Sequence, residues 1–276
     1  MKKVLIPVEL SYLSKCALEL GTQLAEKATA EIEVVAEIET IDDGKSFTST
    51  GEVIVNNEAS AYNFELKKAV KQRMDQRYQE IHEWVPELKI EPKIIYGLMP
   101  HALVEEVKKV NPDLVLIGGD RFDLSDDTAN LFLRHAIAPS LLLKCSLNQI
   151  EDYRDIVFLP NESDSEDLVS HLKALQALFQ ANVHLLRIIR PNHFETSDEA
   201  ENWLKSYQKK HDLDGTVHVF NDKSEEDGLV HFSDRFEHAI VASGLHKRNF
   251  RDWLVGEYPE GQIITESSHP VWLFRG

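Results

Sequence analysis

Short continuous apolar runs alternate along this chain with stretches whose apolar residues recur every three or four positions. The runs predict strands at 3–8, 31–36, 90–95, 113–118 and 140–144, then near 155–159, 183–189, 216–220, 238–243 and 271–274. Between them, Leu13, Ala17, Leu18, Leu20, Leu24 and Ala25 form one helical face, with Ser11 placed as its N-cap. Further helices are expected over Tyr62–Trp84, His101–Val110 and from Ser125, where Asp126 and Asp127 suit the positive end of the dipole. The later helices are expected near 165–179, 197–211, 225–236 and 258–267. Uninterrupted Val, Ile and Leu runs call for burial on both faces, hence open, mostly parallel α/β sheets with helices on both sides.

The pattern is written twice. Val4-Leu5-Ile6-Pro7-Val8-Glu9-Leu10-Ser11 returns as Ile156-Val157-Phe158-Leu159-Pro160-Asn161-Glu162-Ser163. The run from Asp113 to Gly118-Gly119-Asp120 returns as His238 to Ser243-Gly244, and Pro139 to Lys144 returns as Pro270 to Arg275. Three pairs in one order predict a tandem duplication. The two five-stranded domains would span residues 1–147 and 151–276, joined through the polar stretch Ser146 to Tyr153. Thr40 to Ala61 breaks the symmetry, since the second half has only Arg190 to Ser197 there. A loop of that length is either a functional lid or a surface insertion.

Composition narrows the class. The 276 residues are 42% apolar and 28% charged, as in a folded protein, and the net charge is −17. That balance excludes a general nucleic-acid binder and disfavours docking to anionic lipid. No apolar run reaches the ~20 residues of a membrane helix, and no signal-peptide core follows Met1-Lys2-Lys3. Two widely separated cysteines, Cys16 and Cys145, offer neither a disulfide framework nor a thiolate metal site. A cytoplasmic protein is expected.

The opening Lys3 to Ser11, Gly97-x-x-Pro100 before a helix, the run from Asp113 to Gly118 and the close from Leu133 to Pro139-Ser-Leu-Leu-Leu together resemble the universal stress protein family. The resemblance covers the chain as two tandem domains, apart from the 40–61 segment. It implies an adenine nucleotide alpha hydrolase-like fold whose domains pair through their last strands, here as an intramolecular pseudo-dimer; two chains can associate further as a homodimer. Some members of the family bind ATP through an acidic residue after the first strand, backbone at the end of the second, and a G-x2-G-x9-G-[S/T] loop after the fourth. Glycines there let backbone N–H groups approach phosphate at a helix N-terminus.

This chain departs from that loop in both halves. In the second, the three glycine positions read Gly244, Lys247 and Glu257, the Ser/Thr position reads Tyr258, and Gly256 lies one residue off. Asn161 or Glu162 takes the place of the acidic residue, and Ile188 matches the second-strand position. Lys247, Arg248 and Arg251, with His246, carry positive charge that suits either an anion or a solvated loop on an acidic surface. In the first half, Glu9, Glu37 and Gly118 are the equivalents, but the loop is short, and Asp126 and Asp127 stand where Gly and Ser/Thr would. Asp120 and Asp123 join them, and like charges 4 Å apart repel by roughly 4 kcal/mol at an effective dielectric of 20. The first-half site is expected not to bind ATP.

No G-x-S-x-G, HExxH, Walker loop or GxGxxG occurs. Ser206 and Lys209 have S-x-x-K spacing on what reads as an exposed helix, and His101 with Glu105 is too few ligands for a metal. The aspartates at 120, 123, 126 and 127 lack EF-hand spacing. The expectation is therefore a stress-response or regulatory binding protein without catalysis, cofactor or metal. It would act on a protein partner, or, alternatively, as a sensor holding ATP or another small anionic ligand in the second domain.

Overall fold

The computed structural model describes residues 1–8, 13–39, 45–47, 53–55, 61, 64–69, 71–72, 75–76, 79, 83, 90–97, 101–118, 138–143, 153–191, 195–244, 263 and 266–274. Twelve strands are described: β1 Lys3–Val8, β2 Glu31–Glu39, β3 Lys45–Phe47, β4 Val53–Val55, β5 Ile90–Gly97, β6 Leu114–Gly118, β7 Ser140–Leu143, β8 Asp155–Leu159, β9 Asn182–Ile189, β10 Thr216–Asn221, β11 Ala239–Gly244 and β12 Val271–Phe274. Five helices carry full ranges: α1 Leu13–Ala28, α2 His101–Val110, α3 Glu166–Phe179, α4 Ser197–His211 and α5 Glu225–Ser233. The described residues between 61 and 83 are also helical, as are Ile263 and Glu266. The N-cap position Ser11 and the helix expected from Ser125 lie outside the described residues.

Ten strands form one sheet in the order β10-β9-β8-β11-β12-β7-β6-β1-β2-β5. Each half follows the same path from its own first strand, and the reversal of order falls between β1 and β6 and between β8 and β11. Every neighbouring pair is parallel except β7 with β12, where Leu141 faces Trp272 in antiparallel register. The two expected sheets are thus one continuous sheet. Trp272 is fully buried at that junction and stacks on Phe274 at 6.3 Å between ring centroids.

The two-residue period of a strand sends alternate side chains to opposite faces. On one face Ile6, Val34, Phe158 and Leu185 meet α1, α3 and α4 through Leu20, Leu172 and Leu204. On the other, Leu5, Val35, Val157 and Leu186 meet α2 and α5 through Leu103, Val107, Leu229 and Phe232. Burying one such side chain stabilises the fold by about 1.5–3 kcal/mol.

Caps fix the helix ends. Ser165 accepts from Leu168 N–H to open α3, Thr196 and Glu199 form a reciprocal capping box on α4, and Ser224 opens α5. Thr29, Asn111, Gln180 and Asp212 follow α1 to α4 with φ of 54°, 48°, 54° and 48°, left-handed positions that turn the chain back toward the next strand.

Two expectations need correction. The 40–61 segment is not wholly loop: β3 and β4 pair antiparallel, Ser46 opposite Ile54, because Phe47 and the Val53-Ile-Val55 run favour a pleated ribbon. Helix α5 stops at Ser233 rather than 236, with Asp234 as its cap. Among the described residues no helix is long and apolar enough to cross a membrane.

Candidate functional site

In an open parallel sheet the crevice for a ligand lies beyond the carboxyl ends of the strands, where strand order reverses. In the second half this is the space between β8 and β11, whose ends are tied by the Leu159–Ser243 pair. Gly244, buried, closes β11 opposite Phe274. Asn161 and Glu162 lie in the exposed turn two and three residues beyond Leu159. Phe158 faces Leu185, so Ile188, three residues on, reaches the carboxyl edge of β9 beside the turn that carries Asn161. The sheet therefore brings Asn161, Glu162, Ile188 and Gly244 to one edge.

Leu5 faces Glu33 and Val157 faces His184 at corresponding points of the two halves, so β1 and β8 hold equivalent places in the sheet.

The turn that carries Asn161 is held from below. Its backbone N–H donates to Asp164 Oδ2 at 2.7 Å, and the Tyr207 hydroxyl donates to the same oxygen at 2.7 Å. Asp164 and Tyr207 are both buried. Burial, followed by the Asp164 charge, pushes the phenol far above its usual range, so it stays protonated and donates to Asp164. Hydrogen bonds to a charged group contribute about 1.5–3 kcal/mol each. Asn161 Oδ1 in turn accepts from the Ser163 N–H at 3.0 Å and hydroxyl at 2.8 Å. The side-chain oxygen at this position is thus engaged in building the turn.

Ile188 contributes backbone to the edge, because its side chain is buried under α5. A Cβ on Gly228 would stand 2.7–2.9 Å from three atoms of Ile188, so only glycine lets the helix sit this close. Arg187 holds Glu195 through Nε at 3.1 Å and lies 4.6 Å over the Trp203 ring, while Arg190 lies 3.5 Å from Glu225. Arg187 and Arg190 are thus matched to carboxylates.

Lys247, Arg248, Glu257 and Tyr258 lie outside the described residues, as do Gly256, Arg251 and His246. In the first half Gly118 closes β6 opposite Leu143, and Glu37 stands in β2 opposite Ile95. Glu9 and the aspartates from 120 to 127 lie outside the described residues. Ser206 donates to the Asn202 carbonyl at 2.8 Å on the exposed face of α4, a surface role. Cys16 is a free, partly buried thiol on α1, and Cys145 lies outside the described residues. The Asp164–Tyr207 support was not found from sequence, since its partners stand 43 residues apart.

No family model matches the chain, and no curated protein does. Solved structures do. A universal stress protein from Archaeoglobus fulgidus DSM 4304 superposes with a TM-score of 0.68 at 13% identity, over 99% of this chain and 96% of that one. A putative universal stress protein from Pseudomonas aeruginosa UCBPP-PA14 gives 0.62 at 12%, over 100% and 93%. A functionally unknown protein from Pseudomonas aeruginosa PAO1 gives 0.65 at 12%, over 100% and 92%. From end to end, the chain has the fold seen in solved universal stress proteins.

Proposed function

We propose that this chain is a tandem universal stress protein, with domains 1–147 and 151–276 paired as an internal pseudo-dimer, that works in the cytoplasm as a non-catalytic, regulatory binding protein. The observation that carries the reading is the carboxyl edge between β8 and β11. There an exposed Asn161–Glu162 turn, pinned by buried Asp164 and Tyr207, borders Gly244 at the reversal of strand order. Support comes from the fold shared with universal stress proteins and from the motifs that open and close each half. The β7–β12 pairing, which joins two halves of identical strand order, supports the pseudo-dimer.

The loops after β6 and β11 depart from a phosphate-cradling sequence, with Asp126 and Asp127 in one and Lys247, Glu257 and Tyr258 in the other. Carboxylates also gather behind the second-half turn at Glu162, Asp164, Glu166 and Asp167. A triphosphate meets repulsion there, so the protein's effect is exerted through contact with a protein partner.

A second reading rests on Gly244 and on the cationic run from Lys247 to Arg251: the second-half crevice senses ATP or another small anion. Thermal unfolding with millimolar ATP, with and without Mg²⁺, separates the two. A ligand at 100 times its Kd adds about 2.7 kcal/mol of stability. The first reading predicts no shift; a shift abolished by Lys247→Glu would establish the second.

A further inference from the structure

The opposite edge of the second half holds a cluster that the crevice does not use. Asp155 opens β8, His184 lies in β9, and Thr216 and His218 lie in β10. Parallel register sets His184 beside both Val157 and Thr216. The two-residue period then turns all four side chains toward α5. The Phe236 ring lies tilted 4.4 Å from that of His184 and the Phe232 ring 5.0 Å from that of His218, roofing the group with apolar surface.

His184 Nε2 lies 2.9 Å from Asp155 Oδ1. Its Nδ1 lies 3.0 Å from His218 Nε2 and 2.9 Å from Thr216 Oγ1, and that hydroxyl is 2.8 Å from His218 Nε2. Three heteroatoms thus form a nearly equilateral triangle. With the His184 Nε2–H given to Asp155, only the His218 N–H and the Thr216 O–H remain for its three edges. An imidazole nitrogen aims its one proton or lone pair along one direction in the ring plane. Two hydrogen bonds, Thr216 O–H to His184 Nδ1 and His218 Nε2–H to Thr216 Oγ1, then close two edges and leave the 3.0 Å edge between the ring nitrogens without a proton of its own.

Donors bound about 2.1 Å from a tetrahedral metal lie about 3.4 Å apart, so the edges seen here need open by only about half an ångström to admit one. The other half supplies a second, independent indication. Lys93 stands where His218 stands, two residues beyond the strand neighbour of Glu33, and its ammonium bridges Glu33 and Glu106. The first half fills this place with a built-in cation, whereas the second presents imidazoles, a hydroxyl and a carboxylate.

We propose that His184 Nδ1, His218 Nε2 and Thr216 Oγ1 bind a divalent transition-metal ion of the zinc class, with Asp155 orienting His184 from behind. Imidazole suits zinc, nickel and copper, and a carboxylate on the far ring nitrogen fixes the tautomer and raises the basicity of the ligand. Water completes the coordination on the open side, where Thr216 is exposed. Among the described residues, no group of three or more His, Cys, Asp and Glu side chains is arranged to hold a metal; the third donor here is a hydroxyl. The ion would clamp the edge strand β10 onto β9.

The test is calorimetric titration of the chelator-stripped full chain with Zn²⁺. One ion per chain should bind, with loss of that binding in His218→Gln and a 10–100-fold weakening in Asp155→Asn. His171→Gln, on α3, should bind as the wild type does. Should His218→Gln fold poorly, Co²⁺ added to the labelled wild type decides by NMR, with line broadening expected first at His184 and His218. Absence of binding, equal binding by His218→Gln, or broadening centred elsewhere would overturn the proposal.

Discussion

Glu33 and His184 occupy the same place in the two halves. Glu33 faces Leu5 on one side and Glu91 on the other; His184 faces Val157 and Thr216. Around them Lys3 corresponds to Asp155 and Lys93 to His218, so a partly buried polar cluster recurs with different residues. In the first half Lys93 lies 3.5 Å from Glu33, bonds Glu106, and has its pKa raised chiefly by the Glu106 hydrogen bond.

Removing that ammonium takes this partner from buried Glu106, while Glu33 keeps Lys3 at 4.0 Å. Lys93 is partly open to water, which moderates the cost. Lys93→Met is expected to lose about 1–2 kcal/mol in urea unfolding. Adding Glu106→Gln should restore part of the loss, and strict additivity in the double-mutant cycle would contradict the pairing.

Asp113 fastens the start of β1 to the start of β6: its Oδ2 accepts the Lys2 N–H at 2.5 Å and the Lys3 N–H at 3.0 Å. Desolvation pushes its pKa up, but these two backbone donors and nearby positive charge outweigh it and hold the carboxyl below its ordinary value. The folded state therefore binds fewer protons than the unfolded chain below about pH 4. This stabilisation is complete above the unfolded value and is lost as pH falls through the folded one. Asp113→Asn should cost about 1–2 kcal/mol at pH 7. The gap between mutant and wild-type urea midpoints should close by about pH 2; a gap constant with pH would refute the assignment.

Gly228 and Ile188 set the distance between α5 and the edge of β9. Gly228→Ala forces a methyl into Ile188 and is expected to cost about 1–3 kcal/mol. Ile188→Ala makes room, so the double variant should be more stable than the sum of the two losses predicts. Measured Tm values of the four proteins check this.

Trp272 fills the seam between the halves. Trp272→Ala should cost about 3–5 kcal/mol and loosen the β7–β12 pairing. Hydrogen exchange should then rise in β7 and β12 ahead of β1 and β8; uniform acceleration would mean that the seam unfolds only with the whole molecule.

The order and type of elements were legible because continuous apolar runs and helical periodicity are local signals; α2 and α4 fall on the expected residues. The β3–β4 ribbon escaped because its three-residue strands sit in a Ser/Thr-rich stretch that reads as loop. Gly244, Asn161 and Ile188 stand at one sheet edge, because strand ends follow from where the apolar runs end. The Asp164–Tyr207 support and the Asp155–His184–His218 cluster were not legible. Their members are brought together by parallel register between strands and helices far apart in sequence, and only Thr216-x-His218 carries a local trace of it.

The most direct measurement is the nucleotide content of the full chain purified under mild conditions, released by acid and quantified, followed by calorimetric titration with Mg²⁺-ATP. Departure from a phosphate-cradling loop in both halves predicts no stoichiometric nucleotide and no saturable ATP binding. A full equivalent of ATP retained per chain, or phosphate release lost on changing Asn161 and Glu162, would contradict it.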